Sequence, residues 1–260
     1  MFTKAFVALL ALGAQQVLAH PFDADFDIEG RSADHGVIDY GDETGKAWGG
    51  LCANGTQQSP IDIESKNIRK WPAMHVHFNW PVGGATIKNH GPAIYIEKFA
   101  KPGSVVLANN EYELKQFHFH TPSEHWIDGV GGEMEVHFVH LNPKGHAAVI
   151  GAIIDVADGT TKRANPAIEA ALAKATSVPK KDMTSDTRGI NLEDLGKVLG
   201  SAPFRTYTGS LTTHPCTEGV KWFVSEKRLY ATQDTINAAK GVMGMNARWP
   251  TNRDTKPKFI

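Results

Sequence analysis

Gln116-Phe117-His118-Phe119-His120 alternates polar and aromatic side chains with a period of two. Read as a β-strand, it places His118 and His120 on one face and Phe117 and Phe119 on the other. A second stretch, Glu133-Met134-Glu135-Val136-His137-Phe138-Val139-His140, puts Glu135, His137 and Val139 together on one face. Two imidazoles on one strand, with apolar backing behind, present two metal ligands. His137 is the candidate third, and Glu135 lies on its face to orient an imidazole. Three neutral histidines leave zinc's fourth tetrahedral position to water, the arrangement of a catalytic site. The spacing alone decides little, because His75-Val76-His77 repeats it and reads as no more than a solvent-facing strand. What distinguishes His118 and His120 is company: Glu124, His125 and His137 all follow within about twenty residues. His125 and His140 read equally well as hydrogen-bonded core histidines.

Outward from these segments, short runs with β character recur at Met74–Trp80, Ala93–Glu97, Ser104–Leu107, Tyr112–His120, Ala147–Val156, Phe204–Thr208 and Lys221–Val224. Asn109-Asn110 between two of them reads as a hairpin turn, since Asn tolerates positive φ. Helical signals are fewer. Asn165-Pro166 supplies an N-cap and a proline at the first helical position before an Ala-rich stretch to Ala175. Asn191–Leu199 and Thr232–Lys240 are weaker helical segments. Many short strands with few short helices predict one mainly β domain around a large sheet.

The composition agrees with a globular chain. Of 260 residues, 41% are hydrophobic and 21% charged, enough to build a sizeable core. Lys and Arg total 27 against 28 Asp and Glu, a balance that argues against a general nucleic-acid binder or a polybasic membrane-surface protein. Lys4, the apolar stretch Ala5–Ala14 and Val17-Leu18-Ala19 read as a signal peptide over residues 1–19, leaving 20–260 as the mature chain. No later apolar run approaches the roughly 18 to 20 residues of a membrane helix, and Thr251–Ile260 lacks a lipid-anchor tail. The expectation is a soluble secreted protein, extracellular or, in a bacterium, periplasmic. In that oxidising setting Cys52 and Cys216 read as a disulfide pair rather than two free thiols. Asn54-Gly55-Thr56 is the N-glycosylation sequon.

A rival pattern fits the same histidines. His118-x-His120, then Glu124 and Gly131, resembles most of the first cupin motif, in which the glutamate binds metal. Tyr112 stands where that motif needs glycine, and Pro143-Lys144-Gly145-His146 does not match its second half.

The fuller resemblance is to the alpha-class carbonic anhydrases. Gln58-Ser59-Pro60-Ile61-Asp62-Ile63, Gln116–His120, Ser123-Glu124-His125, Glu135–His140 and Ser210-Leu211-Thr212-Thr213 follow that family's blocks in order and spacing. Tyr40-Gly41, Trp48, Trp222 and Asn246 with Arg248 extend the likeness across most of the chain. It implies a large twisted, mostly antiparallel sheet with short helices outside and zinc at the base of a conical cleft. It also implies reversible hydration of CO2 to bicarbonate by a zinc-bound hydroxide. His118, His120 and His137 become the zinc ligands, with Gln116 and Glu135 supporting them. Thr212 and Glu124 orient the nucleophile, while Val139, Val149, Leu211, Thr213 and Trp222 receive substrate. Secreted members of the family pair cysteines as Cys52 and Cys216 would pair.

One departure stands out. Fast members of the family carry a proton-shuttling histidine directly after the glycine of an Asn-Gly-His stretch. Here the chain reads Lys88-Asn89-His90-Gly91-Pro92, so Pro92, which cannot titrate, takes that place. His90 is therefore the candidate displaced shuttle and His214 the second candidate, because histidine changes charge near neutral pH.

Overall fold

The computed structural model describes residues 40, 41, 44–91 and 93–253. The expected signal peptide, residues 1–19, lies outside the described residues, as does Pro92. After a 3-10 turn at Lys46–Trp48 come α1 (Gly50–Asn54), β1 (Asp62–Ile63), β2 (Arg69–Trp71), β3 (Val76–Asn79), β4 (Val82–Asn89) and β5 (Ile94–Glu97). β6 (Ser104–Leu107), β7 (Asn110–His120), β8 (Trp126–Ile127), β9 (Met134–Leu141) and β10 (Ala147–Val156) follow. The remainder is α2 (Pro166–Ala173), β11 (Thr184–Asn191), α3 (Leu192–Leu199), β12 (Phe204–Ser210), β13 (Glu218–Ser225), β14 (Leu229–Ala231) and α4 (Gln233–Met243).

Twelve strands form one sheet along the path β11-β4-β5-β7-β9-β10-β13-β12-β2, with β3, β6 and β14 attached beside it. Its pairings are antiparallel except where β10 meets β13 and β14. The expectation of a mainly β, mostly antiparallel architecture with short helices holds. β10 is the apolar run Ala147–Val156, nearly all of it buried because both of its faces are covered. Each longer helix starts where a polar side chain satisfies its first N–H groups. Asn165 accepts from Ala167 and Ile168 with Pro166 behind it, Asn191 accepts from Asp194, and Thr232 accepts from Thr235. α4 continues past its expected end at Lys240 because Ile236, Ala239 and Met243 extend one buried stripe.

Several expectations need correction. The hairpin before β7 turns on Ala108 and Asn109, both at positive φ, while Asn110 already pairs with Leu107. Met74–Trp80 opens as a 3-10 turn over Ala73–His75 before β3 begins. β4 and β11 went unread because Gly, Thr, Ser and charged residues dilute their alternation. They pair with each other at the edge of the sheet, where such residues face water.

The sheet has two unlike faces. On one, Phe117, Phe119, Val136, Phe138 and Ile150 pack with Ile168 of α2, Leu195 of α3 and Ile236 of α4 in the main core. Phe117 and Phe119 are each 1% exposed, and burying such a ring contributes about 1.5–3 kcal/mol. On the other face Ile63, Val139, Val149, Val220, Trp222 and Val224 form a smaller apolar cluster.

A β-bulge decides which face the histidines take. Upstream, Tyr112 and Leu114 point into the main core; downstream, Phe117 and Phe119 do. The register of β7 against β9 slips between Leu114 and Gln116, so parity switches at Lys115. Unbroken alternation from Tyr112 would have driven His118 and His120 into the apolar core.

Cys52 of α1 is bonded to Cys216, closing a span of 164 residues. A loop of that length stabilises by about 4–5 kcal/mol as an upper figure. The bond anchors the turn after β12, where the Leu211 and Cys216 N–H groups donate to the Thr217 and Thr213 carbonyls. Among the described residues, no helix is long and apolar enough to cross a membrane.

Candidate active site

Antiparallel pairing sets His118 of β7 directly opposite His137 of β9, and His120 opposite Glu135. One nitrogen of each candidate ligand lies within 4.8 Å of the others, across His118, His120 and His137. The far nitrogens are all engaged by acceptors. His118 Nδ1 donates to Gln116 Oε1 at 2.8 Å, His120 Nδ1 to the Asn246 carbonyl at 2.8 Å, and His137 Nε2 to Glu135 Oε1 at 2.8 Å. A neutral imidazole that donates from one nitrogen carries its lone pair on the other. The lone pairs therefore sit on His118 Nε2, His120 Nε2 and His137 Nδ1. His120 Nε2 is buried without a hydrogen-bond partner, as expected of an atom reserved for a metal.

Burial keeps the rings neutral. It lowers His118 well below the usual histidine range, with His120 and His137 adding repulsion against protonation. It lowers His120 to about 4, against the opposing pull of the Asn246 carbonyl, and it lowers His137 despite the Glu135 carboxylate. Three neutral, converging imidazoles fit zinc, whose ligands must be deprotonated.

Glu135 organises this set. Its Oε1 accepts from His137 and from His125 Nδ1 at 2.7 Å, and its Oε2 accepts from the backbone N–H groups of Glu124 and His125. Burial alone would raise its pKa, yet the two histidines and their hydrogen bonds hold it well below the usual carboxylate range. His125 passes the network on to the Tyr207 hydroxyl at 2.7 Å, which meets Ser59 Oγ at 2.9 Å.

Residues 43–255 match the family model of the eukaryotic-type carbonic anhydrases. The chain belongs to this family. Alpha carbonic anhydrase 7 of Arabidopsis thaliana is 30% identical over 227 residues, covering 82% of this chain and 80% of the relative. A carbonic anhydrase of Pectobacterium carotovorum is 33% identical over 195 residues, 74% of this chain and 75% of the relative. The solved structure of the fungal alpha carbonic anhydrase from Aspergillus oryzae superposes with a TM-score of 0.72 at 30% identity, covering 84% of this chain and 90% of that one.

In this carbonic anhydrase Glu124 stands outside the imidazole set. Its Oε1 accepts from the Arg248 N–H at 2.8 Å, and its Oε2 lies 3.8 Å from His137 Nδ1. Among the described residues, the groups whose atoms converge closely enough to share a metal do not include Glu124, unlike the cupin-like arrangement. Burial pushes Glu124 up to about 7, while His137, the Arg248 N–H and the Thr212 hydroxyl pull it down. Thr212 is buried and influences this carboxylate, although Glu124 Oε2 lacks a partner at full hydrogen-bond geometry.

Val139, Val149 and Trp222 meet in the smaller apolar cluster, and Leu211 packs against it. Register explains the meeting, since Val149 of β10 pairs with Val139 on one side and Trp222 on the other. Thr213 is partly buried in the disulfide-anchored turn, beside the partly buried His214. His90 is partly buried, 3.3 Å from Glu97 Oε2 through its Nε2. His125 and His140 are hydrogen-bonded core histidines, as the sequence allowed; His140 accepts from Trp80 Nε1 and donates to the Phe138 carbonyl.

The roles of three contributors escaped the sequence reading, in which Arg248, like Asn246, entered only through the family likeness and Gly151 not at all. Asn246 supplies the carbonyl for His120 and ties Phe119 and Thr121 with its side chain. Arg248 is 1% exposed, and its guanidinium donates to Gln58 Oε1 and to the Thr44, Cys52 and Ser59 carbonyls. Gly151 pairs with His137, and a Cβ there would meet Glu135 Oε1 at 2.9 Å. Only spatial neighbours, absent from local pattern, define these roles.

Proposed function

We propose that this carbonic anhydrase catalyses the reversible hydration of CO2 to bicarbonate and a proton with zinc held by His118, His120 and His137. The observation that carries the reading is the convergence of three neutral imidazoles whose far nitrogens are each fixed by an acceptor. When bound there, zinc would supply Lewis-acid chemistry and bring the pKa of a water to about 7, a value carbonic anhydrases themselves exemplify. Gln116, Glu135 and the Asn246 carbonyl fix the tautomer and aim of the rings. An ionised Glu124 accepts the Thr212 hydroxyl proton, so Thr212 Oγ1 is left as an acceptor that orients the attacking water. Val139, Val149, Leu211 and Trp222 offer an apolar wall to a substrate without a net dipole, with Thr213 at its edge. His90, which donates to Glu97 through Nε2, takes the released proton at Nδ1, and His214 is the alternative carrier.

Zinc analysis and CO2 hydration of the purified protein test the reading together. One zinc per chain with sulfonamide-sensitive hydration is expected; stoichiometric zinc without activity overturns it. Stopped-flow hydration of His90→Ala at low buffer tests the carrier, where a loss restored by imidazole is expected and an unchanged rate removes His90.

We propose further that residues 1–19 are cleaved on secretion and that 20–260 form the mature catalytic domain. The Cys52–Cys216 bond supports an oxidising destination. Asn54, exposed at the end of α1, is then available for glycosylation. N-terminal sequencing and glycosidase treatment of secreted material check both points.

A further inference from the structure

Tyr95 of β5 pairs across the sheet with His118 of β7, so their side chains share the metal-facing side. The rings stack, with centroids 4.8 Å apart and planes 21° from parallel. The other imidazoles meet His118 edge-on, His120 at 75° and His137 at 88°. Behind Tyr95, the ring of His90 abuts it at 4.6 Å and 65°, and His90 is itself tied to Glu97.

His118 is the ligand that needs such a brace. It is 8% exposed, whereas His120 and His137 are at 0% and 1%. Trp222 also wedges His137 at 4.8 Å. Each of the three rings has one acceptor at its far nitrogen, about which it can pivot, and the less buried His118 has the least packing to stop it. A parallel ring opposes that pivot. The stack also discriminates between states. Metal ligation draws electron density from the imidazole, and the face of a phenol ring is electron-rich, so the contact strengthens when metal is bound. Ordinary packing would favour the loaded and empty protein equally.

We propose that Tyr95 is a positioning residue of the metal centre: its ring, braced by His90, holds the plane of His118 and slows loss of the metal. The proposal rests on the zinc-ligand reading above. The test uses the full-length zinc-loaded protein with Tyr95→Phe, Tyr95→Val and His118→Ala. Two quantities are read: the rate of zinc transfer to a chelating indicator at fixed pH, and the visible spectrum after cobalt(II) exchange.

Tyr95→Val should lose zinc about 10-fold faster, the lower end for a lost supporting partner, and shift the cobalt bands. Tyr95→Phe keeps the ring and should stay within about twofold of the parent. A parental rate and spectrum in Tyr95→Val overturns the proposal, as does a Tyr95→Phe variant as impaired as Tyr95→Val. Should Tyr95→Val fail to fold, Tyr95→Leu, which retains more apolar bulk, is judged by the same outcomes. Rapid zinc loss from His118→Ala beside an unaffected Tyr95→Val rejects the brace and keeps the ligand reading. Parental zinc retention in His118→Ala rejects the ligand reading and the brace with it.

Discussion

His75-Val76-His77 and His118-Phe119-His120 share a motif and little else. The first straddles a 3-10 turn and β3, and both of its histidines are exposed. Among the described residues β3 pairs with β6 alone, and neither imidazole joins a group that could share a metal. The second lies on β7 between β5 and β9, with a carbonyl oxygen on each Nδ1 and a third imidazole across the ladder. A pair of imidazoles becomes a ligand set when burial removes competing water and surrounding acceptors choose the tautomer. Spacing supplies the opportunity and the neighbours decide its use.

The largest expected contrast comes from deleting one histidine of each pair. His120→Ala should weaken zinc retention by more than roughly 100-fold, beyond the loss from a supporting partner, while His77→Ala should change nothing measurable. Metal analysis after dialysis against a chelator reads both, and equal zinc loss from the two would erase the distinction.

Glu124→Gln probes a carboxylate beside the pair without a place in it. Zinc should stay bound while hydration falls by roughly 100-fold, because Thr212 loses the acceptor that aims it. Zinc lost from a folded variant would instead make Glu124 a direct ligand.

Gly151→Ala tests whether packing behind His137 matters. The added Cβ crowds Glu135 Oε1, a kind of overpacking that costs about 1–3 kcal/mol. Urea unfolding and zinc retention should both weaken; if neither moves, Glu135 has slack that the contact distances deny.

His140 supplies the third case, a buried histidine with both nitrogens occupied by protein. Burial, opposed by the Phe138 and Ala148 carbonyls, holds it down to about 3, whereas an unfolded histidine titrates near 6.5. Its contribution is therefore complete above about pH 6.5 and is lost as pH falls from there toward the folded value. Between pH 6.5 and 5 the loss is about 2 kcal/mol. His140→Gln removes that titration, so its urea stability should fall less over the same interval. Identical slopes for variant and parent would mean His140 is not a source of the acid sensitivity.

Much of the site was legible because strand alternation is local. Phe117, Phe119, Val136 and Phe138 entered the main core while His118, His120, Glu135 and His137 took the opposite face, as period-two reading required. The caps at Asn165, Asn191 and Thr232 were equally local, each a side chain reaching N–H groups two or three residues on. β4 and β11 were not legible, since their stability comes from pairing with each other across nearly a hundred residues of chain.

By itself, then, the sequence determined which side chains alternate on β7 and β9, where three helices begin, and which two cysteines were available to pair. Tertiary structure alone decided the switch of parity at Lys115, because a bulge exists only relative to the strand it mispairs with. It also decided that the Asn246 carbonyl would meet His120, that Tyr95 would stack on His118, and that Gly151 would leave room for Glu135. These contacts join residues distant along the chain, and their existence depends on how the strands are ordered and registered in the sheet. Local periodicity fixes the direction of a side chain; only the assembled sheet fixes what it meets.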